Sequence, residues 1–223
     1  MWLVDLIFPR SCVACGAPAD LLCAPCRERI RVLRSPSCGC CGAPTVWPVE
    51  RCRECAGRRI AFTTARAAVA YTGPLPALVR GWKERGLRRA AELAVSLVAE
   101  QLEPPAADVI TPIPPDPARQ LVRATHPASG LAHGLGERWS LPVEQLLVRT
   151  RRVPRQTGLP LAARQQNVRG AFAAAAPTPG PPRRVILVDD VYTTGATASA
   201  AATALRAGGA EEVYVVTLAR ALR

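Results

Sequence analysis

Asp189 and Asp190 stand side by side where an apolar run stops and a small, hydroxyl-bearing turn begins. Residues 185–188 (Val-Ile-Leu-Val) read as a short strand buried on both faces. After the acids come Thr193, Thr194, Gly195, Ala196 and Thr197, then an alanine-rich stretch of helical propensity. An ionised carboxylate only accepts hydrogen bonds, which suits neighbouring ribose hydroxyls. Backbone N–H groups of a Gly-bearing turn and the helix N-terminus behind it suit a phosphate. The two halves of the motif therefore fit the two halves of a phosphorylated sugar. Adjacent carboxylates repel each other, so the pair needs a ligand or a cation beside it.

A second chemistry lies at the other end of the chain. All nine cysteines fall between positions 12 and 55. Eight form the pairs Cys12/Cys15, Cys23/Cys26, Cys38/Cys41 and Cys52/Cys55, each Cys-x-x-Cys. The heptads at 12–18 and 38–44 are nearly identical and sit 26 residues apart, so the region is a tandem repeat with two cysteine pairs per unit. Four thiolates make one tetrahedral zinc site, and a glycine after the second cysteine permits the tight knuckle whose N–H groups face the sulfurs. Two structural Zn²⁺ ions are predicted. Spacing favours Cys41 over the neighbouring Cys40 as a ligand, and pairing across the repeats stays open. Disulfides are the alternative, but an intracellular chain with this spacing favours metal.

Cysteine usage also divides the chain: residues 1–58 as a double zinc ribbon, with 1–9 an apolar segment that docks on the protein itself, and residues 59–223 as a larger domain. Metal binding would supply about 10 kcal/mol of folding free energy per site in the small module. Chelation is accordingly expected to unfold 10–57 and leave the remainder intact.

Formal net charge is +12, carried almost wholly by arginine, with Lys83 the sole lysine. Residues 1–58 hold eight arginines against five acids, so both parts are basic, which raises nucleic acid or another polyanion as a partner. No apolar run approaches the roughly 20 residues of a membrane span, and no basic leader precedes residues 2–9, so a cytoplasmic location is expected.

The larger part alternates strand and helix. Residues 65–71 predict a strand, Gly73-Pro74 a turn, and 75–102 helical periodicity broken at Gly86. Residues 108–113 predict a second strand, 131–139 a helix and 145–148 a short strand. The acid-pair strand at 185–190 leads to a helix over 197–206 and a final strand over 213–218. This is an α/β pattern: a parallel sheet with helices on both faces and ligands beyond the strands' carboxyl ends. Two arginine-bearing stretches should reach that edge. The loop after 108–113 carries Arg119 and Arg123, candidates for a pyrophosphate. The stretch 149–169, with Arg149, Arg151, Arg152, Arg155, Arg164 and Arg169, reads as a long mobile flap. Residues 177–182 read as a surface connector, and His126 and His133 as packing or surface residues.

The 183–197 motif resembles the fingerprint of type I phosphoribosyltransferases. Over nearly its whole length the chain resembles the competence protein ComF family, also called GntX-like. The marks are Leu-Ile-Phe-Pro before Cys12, the Cys-x-x-Cys-Gly units, 71–74 (Tyr-Thr-Gly-Pro), Trp82-Lys83, 112–114 (Pro-Ile-Pro), 156–159, 164–172, 188–197 and 217–220 (Thr-Leu-Ala-Arg). The resemblance implies a type I phosphoribosyltransferase-like fold behind the zinc module, with phosphoribosyl pyrophosphate and Mg²⁺ as ligands. It also implies a part in DNA uptake with single-stranded DNA and other competence proteins. The alternative is a genuine transferase with an unidentified acceptor, with Asp189, Asp190 and Lys83 as catalytic candidates. A third option is a scaffold that keeps an old sugar site. Thr193 stands where the purine-salvage enzymes carry an assisting aspartate, so any transfer here would lean on stabilising an oxocarbenium-like sugar and the departing pyrophosphate. Residues 123–128 depart from the family pattern by losing a glycine and gaining Pro127, which stiffens that loop.

Overall fold

In the computed structural model, residues 11–116, 126–150, 168, 170–175 and 182–222 are described. The strands β1 (Thr64–Ala70), β2 (Val109–Pro112), β5 (Arg184–Tyr192) and β6 (Glu212–Arg220) form one parallel sheet in the order β1-β6-β5-β2. Helices α2 (Leu75–Arg85), α3 (Arg88–Gln101) and α4 (Pro127–Trp139) cover one face, and α5 (Ala196–Ala207) covers the other. A short helix α1 (Ala24–Glu28) lies in the cysteine region. A separate antiparallel pair joins β3 (Leu147–Arg149) to β4 (Phe172–Ala174).

The hydrophobic pattern explains the layering. Side chains alternate along a strand, so Val185 and Leu187 of β5 pack towards α5, while Ile186 and Val188 pack towards α2–α4. The centre of the sheet is covered on both faces, as the continuous apolar run predicts. Gly86 in the left-handed region (φ +62°) stops α2 where the helical periodicity breaks. β5 and β6 run further than the sequence suggests, to nine residues each, so Asp189 and Asp190 lie within the ladder and the turn begins after Tyr192.

Helix α4 starts four residues before the predicted 131. Pro127 occupies its first turn, where a missing N–H costs nothing, and His126 Nδ1 accepts from the Ser129 N–H at 3.3 Å as the cap. The proline that departs from the family pattern is thus a helix start. The short strand predicted at 145–148 is β3, shifted to Leu147–Arg149. Its partner β4 escaped sequence reading because three residues of Phe-Ala-Ala carry no alternation. Arg149, assigned to a mobile flap, sits in that ladder. Residues 1–10, 117–125, 151–167, 169, 176–181 and 223 lie outside the described residues, with Arg119, Arg123, Arg164 and most of the 177–182 connector among them.

The two zinc repeats straddle the sheet. Between them, residues 31–33 run antiparallel along β1, with Ala70 N–H donating to Arg31 O (2.8 Å) and Leu33 N–H to Ala68 O (3.0 Å), which closes an exposed sheet edge. Cys12 and Cys26 join the apolar cluster under α2–α4, and Cys38, Cys41 and Cys55 join the cluster under α5. The cysteine region is built into both cores of the larger domain.

Candidate phosphosugar site and zinc clusters

At the carboxyl end of β5 the structure gathers residues more than a hundred positions apart. Lys83, in the last turn of α2, forms an ion pair with Asp190. The Lys83 side chain is 24% exposed and that of Asp190 12%, so the pair is only partly hydrated. A strict two-residue alternation would turn Asp189 and Asp190 to opposite faces, yet their carboxyl groups meet. Burial, then the adjacent Asp190 charge, raises Asp189 from the usual 3.8 to about 7, against the lowering pull of Lys83 and of the Asp190 N–H, which donates to Asp189 Oδ1 at 2.9 Å. The cation that the sequence argument required is the sole lysine.

The turn that follows delivers the chain into α5. Gly195 is its N-cap in the left-handed region (φ +72°), without a side-chain cap, and no acidic residue occupies the first turn. The first N–H groups of a helix lack intrahelical acceptors, so this terminus favours an anion. Thr194 Oγ1 accepts from the Ala196 N–H at 3.3 Å and holds the turn in shape. Thr193 and Thr197 are partly exposed; Thr194, Gly195 and Ala196 are buried. The loop after β2 is tied in beside the acids, since Ile113 N–H donates to Val188 O at 2.9 Å. Arg149 then donates to Pro114 O (3.3 Å) and stacks 4.8 Å from the Phe172 ring centroid, which puts its guanidinium against that loop.

Both cysteine clusters have zinc geometry. The Sγ atoms of Cys12, Cys15, Cys23 and Cys26 lie within 4.8 Å of one another, and those of Cys38, Cys41, Cys52 and Cys55 do likewise. Contacts of 3.5 Å (Cys15–Cys23) and 3.6 Å (Cys41–Cys52) are close to the edge of about 3.8 Å in a tetrahedron with 2.3 Å metal–sulfur bonds. All nine cysteines are free of disulfides. Pairing is within each repeat rather than across them, and Cys40 falls outside the second cluster. The repeat holds in the backbone too: Cys12 N–H donates to Ala17 O (2.7 Å) and Cys38 N–H to Ala43 O (2.8 Å). Against desolvation, N–H groups from Cys41, Cys52 and Cys40 bring Cys38 down to about 7, whereas burial pushes Cys41 up to about 11 and Cys55 higher still.

Four residues close to this site were given no function by sequence reasoning. Arg220, at the end of β6, is 1% exposed and donates to Cys41 O (2.8 Å), Cys41 Sγ (3.4 Å) and Glu54 Oε2 (2.7 Å). Its guanidinium lies 4.6 Å from the ring centroid of Tyr192. Arg58 donates to Thr194 O at 2.8 Å. The signal for Arg220 was present, an arginine ending an otherwise apolar strand, but only the tertiary structure supplies its partners.

Residues 3–56 match the family model of the double zinc ribbon domain. Competence protein F of Haemophilus influenzae is 31% identical over 96% of this chain and 98% of its own length. The DNA utilization protein YhgH of Salmonella typhi is 31% identical over 97% of this chain and all of its own length. Among solved structures, the glutamine phosphoribosylpyrophosphate amidotransferase of B. subtilis, complexed with ADP and GMP, aligns at 30% identity and a TM-score of 0.40, over 57% of this chain. The match spans about a quarter of that enzyme's length. A parallel sheet flanked by helices, with an acid pair at a strand end, joined to a double zinc ribbon defines a two-part α/β protein. Within that class, the chain belongs to the competence protein F family. Among the described residues no helix is long and apolar enough to cross a membrane.

Proposed function

We propose that the chain binds phosphoribosyl pyrophosphate, or a closely related phosphosugar with Mg²⁺, and acts in DNA uptake alongside single-stranded DNA. The observation that carries the sugar reading is the convergence of Lys83, Asp189 and Asp190 at the mouth of the α5 turn. The carboxylates accept from the ribose hydroxyls, and the N–H groups of the 193–197 turn other than that of Ala196, which Thr194 Oγ1 already accepts, take the 5′-phosphate. Mg²⁺ travels with the pyrophosphate, whose charge it offsets. Arg149, and on sequence grounds Arg119, Arg123 and Arg164, are the cations for the pyrophosphate end.

The DNA reading draws on the names of the relatives, on the net charge of +12 and on Trp47. This indole is 66% exposed next to Val46 (86%) in the second cysteine repeat, in which Arg51 and Arg53 are also exposed. An exposed aromatic on a basic protein offers a stacking surface for unpaired bases. Calorimetric titration with phosphoribosyl pyrophosphate and Mg²⁺, in the wild type and in Asp190→Asn, tests the sugar reading. Binding is expected in the first and loss in the second, and equal affinity in both rejects it. Release of pyrophosphate on adding an acceptor would convert the binding protein into a transferase.

A further inference from the structure

The motif 217–220 has no role in the proposed function, yet its last residue is buried between the second cysteine cluster and the anion turn. We propose that Arg220 is a positioning residue through which zinc in the Cys38/Cys41/Cys52/Cys55 cluster sets the shape of the 194–197 turn, and hence the affinity for the 5′-phosphate. The inference rests on the phosphosugar reading for its ligand arm alone.

The physical path is short. Four thiolates around one divalent ion carry net negative charge, and Arg220 faces that charge through the Sγ and carbonyl of Cys41, with Glu54 as a second anion. The cluster thereby fixes the plane of the guanidinium. That plane stacks on Tyr192, its cross-strand register partner in the β5/β6 ladder. The Tyr192 ring in turn fills the space beside Gly195: a Cβ placed there would overlap Tyr192 Oη and lie 2.6 Å from Cζ. The left-handed Gly195 is therefore shaped by the ring behind it.

A second support comes from the chain leaving the same cluster. Three residues after Cys55, Arg58 holds Thr194 O (2.8 Å). Ala61 N–H donates to Ser199 Oγ (3.2 Å) and Ala61 O accepts from Arg206 Nε (2.5 Å), which anchors that segment along α5. The turn is gripped from two sides by groups that depend on the second cluster. The first cluster packs against α2–α4 on the other face of the sheet, with Asp20 paired to Arg89. Its described contacts lead to α2–α4 rather than to the 194–197 turn, and this asymmetry makes the inference testable.

The experiment compares the zinc-loaded full chain with Arg220→Lys, Cys55→Ser and Cys26→Ser. It measures bound zinc, amide exchange at 194–198 and calorimetric affinity for ribose 5-phosphate. Lysine keeps a cation for Glu54 but loses the planar stack and the fork. Arg220→Lys should retain two zinc ions, exchange the 194–198 amides faster and bind ribose 5-phosphate about tenfold more weakly, the scale of one lost charge-assisted hydrogen bond. Cys55→Ser should do the same with one zinc lost, whereas Cys26→Ser should lose one zinc and leave the turn unchanged. Unchanged exchange at 194–198 in zinc-replete Arg220→Lys overturns the inference, and so does an equal effect from the two cysteine variants. Should Cys55→Ser fail to fold, Arg220→Lys and the milder Glu54→Gln carry the test through the same exchange readout. If the wild type binds no ribose 5-phosphate, the phosphosugar reading falls, while the exchange data still decide the coupling.

Discussion

Replacing Lys83 by methionine isolates the electrostatics of the acid pair. At an effective dielectric of about 20, unit charges about 4 Å apart attract by about 4 kcal/mol. Lys83 is a quarter exposed and its solvation is recovered on removal, so roughly half of that, about 2 kcal/mol, is the expected stability loss near pH 8. The sign with pH follows from Asp189. Its folded value, about 7 against an ordinary 3.8, means that the native state holds this proton more tightly than the unfolded chain. Its stabilising contribution is full below about pH 4 and is lost as pH rises through about 7. Lys83 pulls that value down, so its removal pushes it further up, and the penalty of Lys83→Met must grow with pH. Urea unfolding of wild type and variant at pH 5 and pH 8 measures it. A difference that is flat or larger at pH 5 would refute the assignment of Lys83 as the counter-ion of the pair.

Three further outcomes are expected. Gly195→Ala forces a side chain into the left-handed region and against Tyr192, costing at least 1–2 kcal/mol of stability by thermal unfolding and removing calorimetric ribose 5-phosphate binding. Ribose 5-phosphate affinity should rise from pH 6 to pH 8 as Asp189 becomes an acceptor, after correction for the ligand phosphate, which titrates near pH 6; a corrected profile that is flat would contradict sugar-hydroxyl binding at this carboxylate. Trp47→Ala should leave stability within about 0.5 kcal/mol but weaken single-stranded DNA binding by about 1–3 kcal/mol in fluorescence anisotropy, and unchanged affinity would remove the stacking platform.

The acid-pair strand, the anion turn and its helix were legible because each rests on local chemistry: a β-branched run, two adjacent carboxylates, a glycine before alanines. The cysteine pairs were legible for the same reason, since knuckle geometry is set within four residues. Sequence reasoning fell short where the deciding contact was distant. It named Lys83 without its partner and read 149 as flap where a three-residue ladder holds it, and the packing or surface place it gave His126 carries a specific task, the cap of α4. It read residues 1–58 as a double zinc ribbon, and only the fold shows that residues 31–33 complete the sheet edge and that cysteines of both clusters lie in the flanking cores. The amino-acid order by itself determined which cysteines can hold metal and which carboxylates and turn residues stand together at the end of β5. Tertiary structure alone decided which charges face one another, because Lys83 meets Asp190, and Arg220 meets Cys41, only after a parallel sheet brings strands from opposite ends of the chain into register.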